Sequence, residues 1–137
     1  MKEINYEFRK HYSIVHRDDR RDYTKKCPDG YIEVTSDWCI TLPDDAPVVI
    51  RNAARDLEDY FFVSMGISIK VIRVSEWNGK QKRITYGIDP SVKEHSYRFA
   101  IKADEIVLCG TSDRMAAQAG YFLEDLMNLH QRTLPVK

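Results

Sequence analysis

Two stretches of helical periodicity, set apart by a long run of strand-like sequence, constrain this chain more than any other feature. Ile50, Ala53, Ala54, Leu57, Tyr60, Phe61 and Met65 recur at three- and four-residue steps, while Arg51, Asn52, Arg55, Asp56, Glu58 and Asp59 fall mostly on the opposite face. Leu42-Pro43-Asp44-Asp45-Ala46-Pro47 supplies carboxylates to cap that helix and a proline its first turn tolerates, and Gly66 stands where a left-handed residue can end it. Gly110-Thr111-Ser112-Asp113 opens the second helix with Thr111 or Ser112 as cap, and Met115, Ala116, Ala119, Phe122, Leu123, Leu126 and Leu129 form its apolar stripe. Pro135 lies beyond anything helical. The spacing predicts helices around 47–65 and 112–130, each with one face that must be covered.

The intervening sequence has a period of two. Ile67, Ile69 and Val71 share one side of a strand and Ile72 and Val74 the other, which predicts cover on both faces. Asn78-Gly79 is a hairpin turn signal leading into a weaker strand at 83–88, which Asp89-Pro90 breaks. Tyr97, Phe99 and Ile101 alternate with Arg98, Ala100 and Lys102. The turn Ala103-Asp104-Glu105 then predicts a hairpin with Ile106-Val107-Leu108-Cys109. Earlier, Tyr31, Ile32 and Val34, then Cys39, Ile40 and Leu42, read as one bent strand or two short ones. Tyr12, Ile14 and Val15 read as an edge strand, 17–26 as a solvated charged run, and Cys27-Pro28-Asp29-Gly30 as a turn. The expected fold is α+β: one antiparallel or mixed β-sheet with two amphipathic helices packed on one face. Ile50, Leu57, Phe61, Phe99, Ile101, Val107, Met115, Phe122 and Leu126 are its expected core.

Composition narrows function mainly by exclusion. In 137 residues, 43% hydrophobic, 21 Lys and Arg offset 21 Asp and Glu, so the chain lacks the electrostatic footprint of a nucleic-acid or membrane-surface binder. The opening sequence carries charges where a signal peptide is apolar, and no apolar run is long enough to span a bilayer, which leads us to expect a cytoplasmic protein. Cys27, Cys39 and Cys109 are widely spaced, as buried or incidental thiols are in a reducing compartment.

Chemistry-bearing motifs are sparse. His11, His16, His95 and His130 are scattered, and only His16 has carboxylates nearby, in Asp18 and Asp19, so no metal or cofactor site is expected. Gly110-Thr111-Ser112-Asp113 joins strand to helix as a phosphate loop does, but lacks the second glycine and the lysine. Cys109 precedes a helix N-terminus, where a thiol can be activated, yet ends an apolar run and is expected to be buried. Glu58/Asp59 and Glu124/Asp125 are adjacent in sequence and diverge on a helix, so neither pair is an acid/base dyad. Trp38, Trp77 and the tyrosines are of a kind that stacks on sugars, but most fall on strand positions that a core would use anyway. No catalytic residue is assigned.

Taken as an ordered set, two stretches resemble a known domain. They are the helix from Val48 to Met65 with Gly66-Ile67-Ser68-Ile69, and Tyr97-Arg98-Phe99-Ala100-Ile101, Ile106-Val107-Leu108-Cys109-Gly110 and the helix 112–129 with Gly120-Tyr121-Phe122-Leu123-Glu124-Asp125-Leu126. This set, over roughly 30–132, resembles the non-catalytic N-terminal domain preceding the barrel of hexosaminidase-type and α-glucuronidase-type glycoside hydrolases. The chain then divides into a charged extension at 1–29, one α+β domain at 30–132, and at 133–137 the start of a connector to the barrel in which the resemblance places the catalytic carboxylates. The charged extension and the lack of a secretion signal depart from that pattern. The expected role is a non-enzymatic accessory domain buttressing the barrel, its main partner, with Tyr121, Met127 and His130 docking against it. A free-standing carbohydrate-binding or protein-interaction module is the alternative.

Overall fold

The computed structural model describes residues 30–91, 96–130 and 133–135. The expectations for 12–15, for 17–29, and for His11, His16, His95 and Cys27 lie outside the described residues. In chain order the elements are β1 (Tyr31–Glu33), β2 (Cys39–Leu42), α1 (Val48–Ser64), β3 (Lys70–Arg73), a 3-10 turn (Val74–Glu76), β4 (Arg83–Ile88), β5 (Tyr97–Ile101), β6 (Glu105–Gly110), α2 (Asp113–His130) and β7 (Thr133–Pro135). Five strands form one sheet in the order β3-β2-β4-β6-β5, while β1 and β7 form a separate ladder. Strands β3, β2, β4 and β6 are parallel, and β5 joins the edge antiparallel to β6, as the predicted hairpin requires. The class is α+β with a mixed sheet and two helices, as expected.

Register builds the core. Val71, Ile40, Ile84, Ile106 and Ile101 are aligned across the sheet, one from each strand. All but Val71, on the edge, are fully buried. Side chains alternate between faces along a strand, so this row and the next, with Tyr86, Leu108 and Phe99, point to one side. There they meet Ile50, Ala53, Ala54, Leu57 and Phe61 of α1 and Ala116, Ala119, Leu123 and Met127 of α2 in a single core.

The hairpin predicted at Asn78-Gly79 does not form. Gly79 does take a left-handed φ of 79°, but β3 and β4 lie parallel on opposite sides of β2. The four residues of β2 are all buried, and a strand buried on both faces is most stable with neighbours on both edges. The segment 74–82 must therefore carry the chain back past β2, and it is held by polar contacts. Trp77 Nε1 donates to the Gln81 carbonyl at 2.9 Å, Gln81 Nε2 to the Asp37 carbonyl at 2.9 Å, and Cys39 N to the Lys82 carbonyl at 3.0 Å. The Arg83 guanidinium lies 3.8 Å over the Trp77 ring while its Nε donates to Glu105 Oε2 at 3.0 Å. Strand β3 is shorter than expected and only half-buried, because it is an edge.

Helix α1 departs from its predicted start. Its N-cap is Pro47, with no side-chain cap, and Asp44 instead accepts a hydrogen bond from Ser75 N at 3.1 Å. The carboxylate thus ties down the crossing segment and not the helix. The other end is as expected: Gly66 has a φ of 71°, and Ile67 N donates to the Phe61 carbonyl at 3.0 Å. In α2, Ser112 Oγ accepts from Met115 N at 3.3 Å, as predicted for a cap.

Helix α2 is rotated from its predicted seat. Ala116, Ala117, Ala119, Leu123 and Met127 face inward, and Phe122 and Leu129, expected inside, are 39% and 74% exposed. Val107, on the other face of the sheet, is only half-buried, as are Phe99, Met115 and Leu126. The cause is close approach. A Cβ on Gly120 would lie 2.5 Å from the Tyr86 hydroxyl oxygen, so α2 can sit this low only with small residues beneath it. The wide side chains are displaced to its flank.

This contact gives a test. Gly-to-Ala inside a helix ordinarily stabilises by about 1 kcal/mol. Gly120→Ala is expected to destabilise by about 1–2 kcal/mol, because overpacking against the buried Tyr86 outweighs the helical gain. In the Tyr86→Phe background the cost should shrink, since the closest clashing atom is gone. Equal costs in both backgrounds, measured by urea denaturation, would refute the argument.

Candidate functional site

Two polar constellations and one apolar surface stand out among the described residues. The first polar group lies between the helices. Tyr60 of α1 donates from its hydroxyl toward Asn128 Oδ1 at 2.7 Å and the Glu124 carbonyl at 3.2 Å, bridging to α2. Glu124 is 7% exposed and its side chain hydrogen-bonds Asp56 of α1. Burial, then that hydrogen bond and the negative charge of Asp56, push its pKa up to about 10, so it carries a proton at neutral pH. Tyr86, buried beneath, is raised well above the ordinary tyrosine value, first by burial and then by Glu124 and Asp56.

Glu124 and Asp56 form a carboxyl pair that sequence reasoning missed. Neighbours in sequence diverge on a helix, whereas this pair is assembled across two helices. The only signal was that Glu124 lies one position from the inward stripe. The pair cannot act as a glycosidase dyad, whose carboxyls stand about 5–10 Å apart across a sugar. These two are in direct hydrogen-bonding contact, with Glu124 buried and Asp56 half-buried.

The second polar group is Arg83 with Glu105, Thr41 and Trp77, on the sheet face away from the helices. It anchors the crossing segment. Trp38 is 2% exposed and offers no sugar-stacking face, and one face of the half-buried Trp77 ring is taken by Arg83. Cys109 is buried, and burial, partly offset by Arg98, raises its thiol pKa. A buried thiol of raised pKa is a poor nucleophile. No group of three or more His, Cys, Asp or Glu could hold a metal among the described residues.

Hollows at the surface add no convergent chemistry. One of about 360 Å³ lies between α1 and β3, beside Glu58, Phe62 and Lys70. Another, of about 340 Å³, sets Asp44 and Asp45 against Arg51 and Arg73, which leaves its charge balanced.

The apolar surface lies where α2 overhangs β5. The Phe122 ring sits 5.3 Å from Phe99, edge to face, and 6.2 Å from Tyr97. Tyr97 and Phe122 are each more than one-third exposed, and Leu129, two turns along the same side of α2, is mostly exposed. Of the residues expected to dock, Tyr121 is 42% exposed, and Met127 is 1% exposed and part of the core. A side chain buried under α2 cannot meet a partner, so Met127 is corrected to a core residue. His130 is the last residue of α2, and its side chain lies outside the described residues. Among the described residues no helix is long and apolar enough to cross a membrane.

No family model matches this chain, and no curated protein does. Thirteen chains of solved structures match it in fold. One is CpGH84D, a glycoside hydrolase family 84 protein, at a TM-score of 0.59 and 12% identity over 88% of this chain. The chain spans 23% of that structure's length.

Proposed function

We propose that this chain is a non-catalytic accessory domain of a larger glycoside hydrolase, packing against a catalytic barrel that follows it in the same polypeptide. The observation carrying this reading is the fold match, in which most of the chain resembles less than a quarter of CpGH84D. That is the relation of one domain to a multidomain enzyme. The chemistry agrees: the Glu124 and Asp56 carboxyls are in contact with Glu124 buried, the strand-end cysteine is buried, and Trp38 lies in the core. Tyr121, exposed on α2, is proposed to touch the barrel, and His130, the last residue of α2, is proposed as a second docking position.

A second reading, a free-standing interaction module, is favoured by the Tyr97, Phe99 and Phe122 cluster, which needs no barrel to explain it. The two readings separate cleanly. The reading frame beyond Lys137 should encode a barrel, whose purified full-length product hydrolyses aryl glycosides while residues 1–137 alone do not. A stop codon directly after Lys137 overturns the accessory reading. So does turnover by 1–137 that disappears when one of its Asp or Glu residues is replaced.

A further inference from the structure

We propose that the edge of β5 left unpaired among the described residues is a binding groove for an extended segment of another polypeptide, apolar at alternate positions and acidic between them. The inference does not rest on the glycoside hydrolase reading. It begins with the backbone. Ser96 accepts from Thr111 N at 3.1 Å and Lys102 N donates to Glu105 at 2.8 Å, so the even-numbered residues of this hairpin bond toward β6. In an antiparallel pair the bonding side alternates, so the N–H and C=O groups of Tyr97, Phe99 and Ile101 point the other way. No strand among the described residues pairs with them, since β5 ends the sheet. Such an edge is a template for one more strand.

The two faces beside that edge differ, and together they define what fits. On the helix side, Phe122 stacks on Tyr97 and Phe99, and Leu126 and Leu129 continue the same flank of α2. The helix therefore reaches past the sheet and offers an apolar roof over the place a sixth strand would take. On the opposite side Arg98 and Lys102 are both exposed; the Arg98 side chain turns back over β6, where it hydrogen-bonds the Cys109 thiol, and Lys102 follows at the end of the strand. Hydrogen bonds from Ser91 and, after them, the nearby charge of Arg98 hold the Asp89 carboxyl below its ordinary pKa, whereas Lys102 makes no ion pair among the described residues.

Charge also decides between occupants. A second copy of β5 would put a second Arg98 and Lys102 on the same face of the extended sheet, and like charges on neighbouring strands are unfavourable. Basic side chains on an edge are a common guard against self-pairing. A strand with glutamates or aspartates on that side gains what the second copy loses, while its apolar residues fill the roofed side.

The test uses the full 137-residue chain, isotopically labelled, and a synthetic eight-residue peptide alternating isoleucine or tyrosine with glutamate. Binding should slow amide exchange at Tyr97, Phe99 and Ile101, but not further at Arg98 and Ala100, and should shift resonances around 122–129. A peptide with lysine for glutamate should bind about tenfold more weakly or worse, as charge-reversed contacts do. Lys102→Glu, a solvent-facing change that spares folding, should reverse that preference, and Leu129→Asn should weaken both peptides. No binding at millimolar peptide, equal affinity for both peptides, protection outside β5, or dimerisation of the chain through this edge would each overturn the proposal.

Discussion

Replacing Gly110 by alanine is expected to lower the stability of the domain by about 3 kcal/mol or more, the upper range for overpacking a tight site. A Cβ there would stand 2.3 Å from the Ala116 nitrogen and 2.5 Å from the Met115 carbonyl carbon. Those atoms are backbone in the first turn of α2, so no rotamer change relieves the clash, and the helix must lift from the end of β6. Gly87 is the control. It lies in β4, where a Cβ would meet only Cys109 Sγ at 3.9 Å, and Gly87→Ala should change stability by no more than about 0.5 kcal/mol. Urea midpoints of the two variants against the parent decide the matter. Similar values for both would mean that α2 is not seated on Gly110 as described.

The second large effect is pH-dependent and resides in Glu124. Its pKa is raised from an ordinary 4.5 to about 10 by burial and by Asp56, so the folded chain keeps a proton that the unfolded chain releases. Between those values the unfolded state binds fewer protons, and stability falls as pH rises. The contribution is fully present below about pH 4.5 and is lost progressively toward pH 10. Glu124→Gln keeps the shape and a hydrogen-bond donor for Asp56 but has nothing to ionise. It should therefore stabilise the domain at pH 8 by on the order of 2 kcal/mol and have little effect near pH 4.5. Denaturation midpoints of parent and variant at both pH values test this. Parallel pH profiles would show that Glu124 is not held protonated between the helices.

These effects also mark where the sequence was legible. The apolar stripe of α1 and its glycine stop were readable because a helix covering a sheet needs one continuous inward face, and Ile50 to Met65 supply it. The β5–β6 hairpin was readable because Ala103-Asp104-Glu105 leaves no room for any other connection. The crossing between β3 and β4 was not, since Asn78-Gly79 has the same local chemistry whether strands return beside each other or pass a third. What decided it was the complete burial of β2, a tertiary fact only hinted at by Cys39, Ile40 and Leu42. In α2 the misleading signal was size. Phe122 and Leu129 look like core, yet the inward face went to Ala116, Ala117, Ala119 and Gly120, because closeness to Tyr86 mattered more than bulk. The carboxyl pair was hidden for a related reason: charge patterning describes one helix at a time, and Glu124 and Asp56 belong to two.

The small ladder of β1 and β7 has a consequence for how the described residues close. Tyr31 is opposite Pro135 and Glu33 opposite Thr133, antiparallel, so the chain comes in and goes out side by side. Partners in an antiparallel ladder stand about 5 Å apart, little more than the step between consecutive residues. The ladder thus works as a clasp, holding the first and last described strands side by side so that the described residues close on themselves.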